Sequence, residues 1–290
     1  MHRYLLALLL GCPLLAPAQL SISLTDARRL TQGQSGEDTY PRRATERYVG
    51  PERALARAVQ QQRTGAIRRL LRQHPSWADT RDSVEGQPLL SWAIINRKRR
   101  ATAALLAGGA NPNIHETFSG RTPLIEAAED LHRSDYFVEL LLAHGADPSL
   151  AARLVPNRTG SPTPLIAAIW AERPQTVDQL LAAGADVQYR SAYGSSALQE
   201  ALLGRDPVLV LRLLTHYPFD LQQPVSYDIT PRPQHIAEYL RDWRFPLDSE
   251  AYRLKMELVA YLQSKGIDYW QAPIPERFRQ LHPAEYLQKY

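Results

Sequence analysis

Cysteine is nearly absent from this sequence, since Cys12 is the only one among 290 residues. A single cysteine cannot form a disulfide within the chain, and it cannot supply a cysteine-based zinc site. The folded protein must therefore be stabilised mainly by its buried apolar core, for which the chain is long enough.

The motifs of common catalytic sites are also missing. The sequence contains no G-x-S-x-G segment, no H-E-x-x-H segment and no glycine-rich phosphate loop, and its histidines show no metal-ligand spacing. We therefore expect a protein that is not an enzyme and that uses neither a metal nor a cofactor.

Long apolar runs are confined to the N-terminus. A short positive start, Met1–Arg3, precedes the apolar run Tyr4–Leu15, and Ala16–Ala18 offers an A-x-A cleavage site. This order predicts a signal peptide over residues 1–18 and export of the rest. The run is too short to span a bilayer permanently, which takes about 20 residues. A second interpretation is that Leu9–Cys12 resembles a bacterial lipobox, in which case acylated Cys12 anchors the protein to a membrane.

Acidic residues are scarce in one part of an otherwise balanced chain. The net charge of +4 is modest for the length, so we do not expect nucleic-acid binding. Between positions 42 and 72, however, the sequence contains nine arginines and only two acidic residues, Glu46 and Glu52. This run is either a docking surface for an acidic partner or anionic lipid headgroups, or a solvated outer face. A second basic cluster, Arg97–Arg100, is expected to form a solvated turn between two helices.

One stretch, Gly120–Asp147, reads as a complete pair of antiparallel helices. Thr122 is suited to cap the first helix, and Pro123 follows at a position where its missing N–H costs nothing. The run Leu140–Leu142 supplies the buried stripe of the second helix. Gly145 can adopt the left-handed conformation that ends it. Such a pair cannot bury both of its apolar sides alone, so it needs copies of itself.

The copies are present. The helix start recurs at Gly86–Ala93, Thr163–Leu165, Ser196–Leu198 and, in worn form, Pro231–Ala237. A period of about 33 residues with this start resembles the ankyrin-repeat family over residues 51–268. The resemblance implies an all-α solenoid of about five to six helix-turn-helix repeats with finger turns. The spacing between Thr122 and Thr163 is stretched, and we expect a longer loop at Asp130–Asp135 and a longer finger at Leu150–Ser161.

The remaining segments complete the predicted organisation. Residues 19–50 hold glycine, serine and charge without sustained apolar periodicity, so we expect a flexible linker there. Residues 269–290 carry aromatics between prolines, and we expect a C-terminal tail that caps the last repeat.

In ankyrin proteins, partners usually bind the finger turns and the exposed side of each first helix. The matching positions in this chain are therefore candidate partner-binding residues, namely Asn96, His115, Glu116, Phe118, Glu129, Asp130, Trp170, Arg190 and Tyr193. Exposed aromatic side chains among charges are typical of binding hot spots.

These features predict a non-catalytic protein-binding module in the bacterial periplasm that is monomeric by itself. The combination of a signal peptide and degenerate repeats resembles ankyrin proteins encoded beside secreted antibacterial toxins. That resemblance implies an immunity protein that neutralises a type VI, lipase-like toxin. Two alternatives remain at this stage, an envelope scaffold or chaperone for a periplasmic enzyme and a secreted effector directed at host proteins.

Overall fold

The structure, a computed structural model, describes residues 43–130, 134–155, 161–192, 194–227, 232–281, 284–287 and 289. These residues fall into two compact units, one within Asp38–Phe219 and the other within Asp220–Tyr290. The predicted signal peptide, Cys12 and most of the predicted linker lie outside the described residues.

The first unit is a stack of helix pairs that follow a short leading helix. Helix α1 spans Ala44–Arg47. The pairs are α2 (Arg53–Gln60) with α3 (Thr64–Gln73), α4 (Leu89–Ile95) with α5 (Arg99–Ala107), α6 (Pro123–Ala128) with α7 (Tyr136–Ala143), α8 (Pro164–Trp170) with α9 (Pro174–Ala182), and α10 (Ala197–Gly204) with α11 (Pro207–His216). A short 3-10 turn, Pro75–Asp79, follows α3. The predicted all-α repeat solenoid is confirmed.

The first helices begin where the sequence predicts because their caps are local. The Thr122 hydroxyl accepts a hydrogen bond from the backbone N–H of Ile125 at 3.3 Å, and Thr163 does the same for Ile166 at 3.3 Å. The proline that follows each cap occupies the first helical position, as expected. At the other end of the pair, Gly145 has φ 83°, a left-handed conformation that suits glycine.

Small and branched apolar residues hold the stack together. First helices pack on neighbouring first helices, and second helices pack on neighbouring second helices. The paired alanines Ala127 and Ala128 are fully buried, as is Leu141 on the second helix. Burial of a leucine is worth roughly 1.5–3 kcal/mol, so the stabilisation is distributed over the contacts between adjacent repeats.

Between α6 and α7 the connection is longer than the other turns within the helix pairs of the first unit, as predicted. Buried Arg173 reaches across from the following repeat and donates to the carbonyl oxygens of Ala127 and Ala128 at 2.6 and 3.2 Å. Its guanidinium also contacts the Asp135 carboxylate at 2.6 Å. These bonds satisfy the last carbonyls of α6 and fix the start of α7.

The N-terminal edge of this unit differs from the expected linker. Helix α1 packs against α2, and Tyr48 is 1% exposed, with its hydroxyl donating to the Gln87 carbonyl at 2.9 Å. Residues 44–48 are therefore part of the packed structure, although we expected the linker to continue to residue 50. The sequence lacks helical periodicity here because the helix is only one turn long.

The second unit combines a small hairpin with longer helices. Strands β1 (Ser226–Tyr227) and β2 (Pro233–Gln234) pair antiparallel. Helices α12 (Ile236–Arg241) and α13 (Glu250–Ser264) follow, then a 3-10 turn at Tyr269–Gln271, α14 (Glu276–Arg279) and α15 (Ala284–Leu287). We predicted α12 and α13 as the last repeat of the solenoid, but they belong to the compact unit that holds the C-terminal residues.

The core of the second unit is aromatic and contains two buried cations. Trp243 and Tyr269 are buried, and Phe278 of the predicted tail is buried as well. Lys255 is fully buried and donates to the Trp243 carbonyl at 3.0 Å. The Arg241 guanidinium lies 4.3 Å from the centroid of the Tyr269 ring. Among the described helices, none combines the length and the apolar character needed to cross a bilayer.

Candidate protein-binding surface

A backbone hydrogen bond joins the two sides of each of four fingers. In each finger an early residue donates its N–H to the carbonyl oxygen of a later one. The four pairs are Asp82 to Gln87 at 2.9 Å, Glu116 to Arg121 at 2.8 Å, Ala152 to Pro162 at 2.9 Å, and Ser191 to Ser195 at 2.9 Å. The third turn encloses the most residues, which is where the sequence predicts a longer finger.

A ladder of side-chain hydrogen bonds links successive repeats at the base of the fingers. The Asp79 carboxylate accepts from the N–H of Asn111 at 2.7 Å. Asn113 accepts from the N–H of Asp147 at 2.8 Å, and the Ser149 hydroxyl accepts from the N–H of Asp186 at 2.9 Å. The spacing of the fingers is therefore fixed before any partner arrives, which lowers the entropic cost of binding.

Exposed apolar side chains recur along the fingers. Val84 and Phe118 each stand two residues before a glycine in the left-handed conformation, Gly86 with φ 64° and Gly120 with φ 71°. They are 72% and 51% exposed, and Leu154 of the third finger is 56% exposed. We call Val84, Phe118 and Leu154 the finger row.

A second set of equivalent positions lies at the C-terminal ends of the first helices. Seven residues after each N-cap stand Ile95, Glu129, Trp170 and Leu203. Ile95 is 49% exposed and Leu203 is 36% exposed, while Trp170 is half-buried. We call these four residues the helix row.

The exposed charge beside the finger row is positive. The Arg81 guanidinium donates to the carbonyl oxygens of Gly86 and His115 at 2.9 and 2.6 Å, and His115 Nε2 lies 3.0 Å from the Ala151 carbonyl oxygen. Burial lowers the pKa of His115, and the nearby charges of Arg153 and Arg81 lower it further. These contacts hold the basic groups in place between neighbouring fingers.

Two carboxylates of helix α6 and its C-terminal end share one arginine. Arg121 contacts Glu126 at 2.5 Å and Glu129 at 2.6 Å, and all three side chains are about a fifth exposed. Burial raises the pKa of Glu126, although Arg121 opposes that shift. Glu129 therefore reaches the surface as part of an ion-pair network rather than as an isolated charge.

Glu116, one of the predicted partner-binding residues, is buried rather than exposed. Its side chain is buried and accepts a hydrogen bond from the Ser119 hydroxyl within the same finger. Burial raises the pKa of Glu116, and the negative charge of Glu85 adds to the shift. The carboxylate therefore stabilises the turn.

The remaining predicted residues are distributed as follows. Asn96 is half-buried and donates to the Trp92 carbonyl at 2.8 Å. Asp130 is half-buried at the end of α6, and Arg190 is exposed on the fourth finger. Tyr193 lies outside the described residues. Val84, Leu154, Ile95 and Leu203 were not among the predicted residues, although an alignment of the repeats on their glycines and N-caps identifies Val84, Ile95 and Leu203.

The described residues hold no group of three or more histidine, cysteine, aspartate or glutamate side chains that could bind a metal ion.

A family model described as ankyrin repeats matches residues 55–152, in three copies. The match falls on the described helix pairs and fingers, and the remaining pairs of the first unit continue the same pattern. Residues 55–152 carry ankyrin repeats. Ankyrin repeats are protein-binding modules that are generally non-catalytic, so this chain contains a protein–protein interaction module.

The ankyrin repeats are also similar to part of a much larger protein. Over 70 residues the chain is 47% identical to the human 2-5A-dependent ribonuclease, a match that covers 24% of this chain and 9% of that protein. Because the chain spans so little of this relative, the activity in its name is not carried over.

Proposed function

We propose that the ankyrin unit binds its partner protein through the finger row and the helix row. The observation that supports this assignment is that exposed apolar residues recur at equivalent positions, Val84 and Phe118 in two fingers and Ile95 and Leu203 at the ends of two first helices. Exposed apolar side chains that line up along one surface are typical of interaction sites. The ladder between the fingers holds this surface rigid.

We further propose that the partner is a secreted toxin and that this chain is the immunity protein of the cell that makes it. The proposed site of action is the bacterial periplasm, and the proposed toxin is lipase-like and delivered by a type VI system. This assignment is supported by the signal-peptide pattern of residues 1–18 and by the resemblance to ankyrin proteins encoded beside such toxins. A rigid, preformed surface also suits stable occlusion of another protein.

The test is a competition experiment with strains that carry or lack this gene. We expect a strain without the gene to be killed by toxin-producing siblings, and expression of the exported chain to restore survival. The same chain retained in the cytoplasm should not protect, although it should still bind the purified toxin. Equal survival of both strains would contradict the immunity function, and a resident envelope enzyme as the stoichiometric partner would indicate a scaffold instead.

A further inference from the structure

The first two repeats carry a surface of arginines that the protein-binding rows do not use. We call Arg63, Arg68, Arg69, Arg72, Arg97 and Arg100 the basic patch. All are exposed except Arg97, which is half-buried. No acidic residue occurs in the sequence from position 53 to 78 or from 86 to 115, so the charge has no local compensation.

Packing brings the two halves of the basic patch together. Arg68, Arg69 and Arg72 lie on the exposed side of α3, opposite its buried residues Ile67 and Leu71. Helix α3 packs beside α5. The backbone N–H of Arg100 donates to the Gln62 side chain at 3.2 Å, which places the two helix-helix turns side by side.

None of the six guanidinium groups lies within 4.0 Å of a carboxylate in the part of the chain that the structure describes. On the second helices of later repeats, by contrast, polar and charged side chains are paired with one another. Arg212 on α11 pairs with Asp178 on α9, and Gln179 donates to Glu139 of α7 at 2.9 Å. The basic patch is therefore unlike the solvated faces of its neighbours, on which opposite charges are paired.

Helices α3 and α5 also lack apolar anchors. Helices α3 and α5 are fully described, and neither carries a large exposed apolar side chain. Protein interfaces depend on buried aromatic and apolar hot spots, whereas adsorption to a charged surface needs only exposed cations. The finger row precedes the first helices, whereas Arg63, Arg97 and Arg100 lie at or next to the helix-helix turns that follow them.

We propose that the basic patch binds the anionic headgroups of a membrane surface. Guanidinium groups suit this role because each can donate two parallel hydrogen bonds to a phosphate. The interaction is electrostatic and does not require insertion into the bilayer. It holds the ankyrin unit against the membrane while the finger row faces a protein partner.

The test is co-sedimentation of the full chain with vesicles of phosphatidylcholine alone or with one third phosphatidylglycerol. We expect binding to the anionic vesicles only, and release as ionic strength rises from 0.1 to 1 M, because the Debye length falls from about 10 to about 3 Å. Replacing Arg68, Arg69, Arg72 and Arg100 with glutamine should weaken partitioning at least about 10-fold, since each cation contributes several-fold. These side chains are exposed, and an unchanged circular dichroism spectrum shows that the variant folds.

The control removes the same charge elsewhere, by glutamine substitution of Arg153, Arg190, Arg205 and Arg279. It should bind anionic vesicles nearly as well as the unchanged chain. Equal loss in both variants, binding to neutral vesicles, or no binding to anionic vesicles would each overturn the proposal. Binding of the patch to an acidic protein without any binding to vesicles would overturn it as well. None of these measurements involves the proposed toxin, so they separate this proposal from the proposed function.

Discussion

Arg47 and Asp82 form an ion pair that is almost completely enclosed. Arg47 Nη2 lies 2.6 Å from Asp82 Oδ2, and the two side chains are 7% and 0% exposed. The other Asp82 oxygen accepts the N–H groups of Val84 and Glu85 at 2.9 and 2.7 Å, and Glu85 also contacts Arg47 at 2.9 Å. One arginine of helix α1 therefore stabilises the turn that presents the first residue of the finger row.

Removing that arginine should destabilise the first unit strongly. In Arg47→Met, the Asp82 carboxylate stays buried without its counter-charge, and we expect a loss of about 3–5 kcal/mol in the free energy of unfolding. Urea unfolding measures the loss. The control Arg43→Met changes a side chain that is 73% exposed and should stay within about 0.5 kcal/mol of the unchanged protein. Equal effects of the two substitutions would show that the pair does not hold the edge of the stack.

The N-cap of α10 offers a matched comparison between two serines. The buried Ser196 hydroxyl accepts the N–H of Gln199 at 3.2 Å, whereas Ser83 is exposed in a finger. We expect Ser196→Ala to cost about 1 kcal/mol and Ser83→Ala to cost much less. Thermal unfolding of the two variants under the same conditions checks this difference, and a similar melting temperature for both would contradict it.

Two glycines with the same backbone conformation should differ in their tolerance of alanine. Gly120 and Gly145 have φ 71° and 83°, so alanine at either position introduces left-handed strain of order 1 kcal/mol. At Gly120 a Cβ atom would also lie 2.3 Å from the Arg153 carbonyl oxygen, whereas at Gly145 it would meet nothing within 4 Å. We expect Gly120→Ala to lose at least about 2 kcal/mol more than Gly145→Ala in urea unfolding. If both variants lose the same free energy, the second and third fingers are not in close contact.

Phe118 should contribute to partner binding and not to the stability of the fold. It is 51% exposed, and we expect Phe118→Ala to weaken partner binding by about 2 kcal/mol while the free energy of unfolding changes little. Val208, which is 59% exposed on the second helix α11, supplies the control, and Val208→Ala should bind normally. Isothermal titration with the partner measures both. An equal effect of the two substitutions would place the binding surface elsewhere.

Lys255 should make the stability of the second unit depend on pH. Burial and, to a lesser extent, the positive charge of Arg241 together lower the pKa of Lys255 to about 7, whereas an unfolded lysine titrates near 10.4. Between these values the unfolded chain binds more protons than the folded one, so the free energy of unfolding should rise with pH. Below about pH 7 both states are protonated, and the cost of the buried ammonium is fully present.

Lys255→Met should flatten that profile and stabilise the second unit most at acidic pH. Each pKa unit corresponds to about 1.4 kcal/mol, so the difference between acidic and alkaline pH should amount to several kcal/mol. Urea unfolding at a series of pH values measures it. Lys265→Met, on the exposed end of α13, is the control and should leave the profile unchanged. A profile that keeps its slope in Lys255→Met would show that another group titrates.

The caps, turns and helix pairs were predictable because they depend on neighbours in the sequence. A threonine before a proline, a leucine run and a glycine after it are enough to start, bury and end these helices. Their recurrence at a nearly constant spacing identified the repeats, and the stretched spacing identified the longer loop and finger.

The exposure of individual side chains was decided by the tertiary structure. Glu116 and Phe118 stand two positions apart in one finger, yet the first is buried and the second is exposed. The sequence could not distinguish them, because burial of Glu116 depends on Ser119 and on the neighbouring finger rather than on spacing.

Contacts between residues far apart in the sequence could not be predicted from the sequence either. Arg47 contacts Asp82, and Arg173 contacts the C-terminal end of α6, only after the repeats have packed on one another. In the same way, α12 and α13 look like one more repeat but pack with the C-terminal residues. The sequence by itself therefore determined the repeating helix pair, since its signals are local. Packing between distant segments decided which residues reach the surface, because burial and ion pairing are properties of the assembled stack.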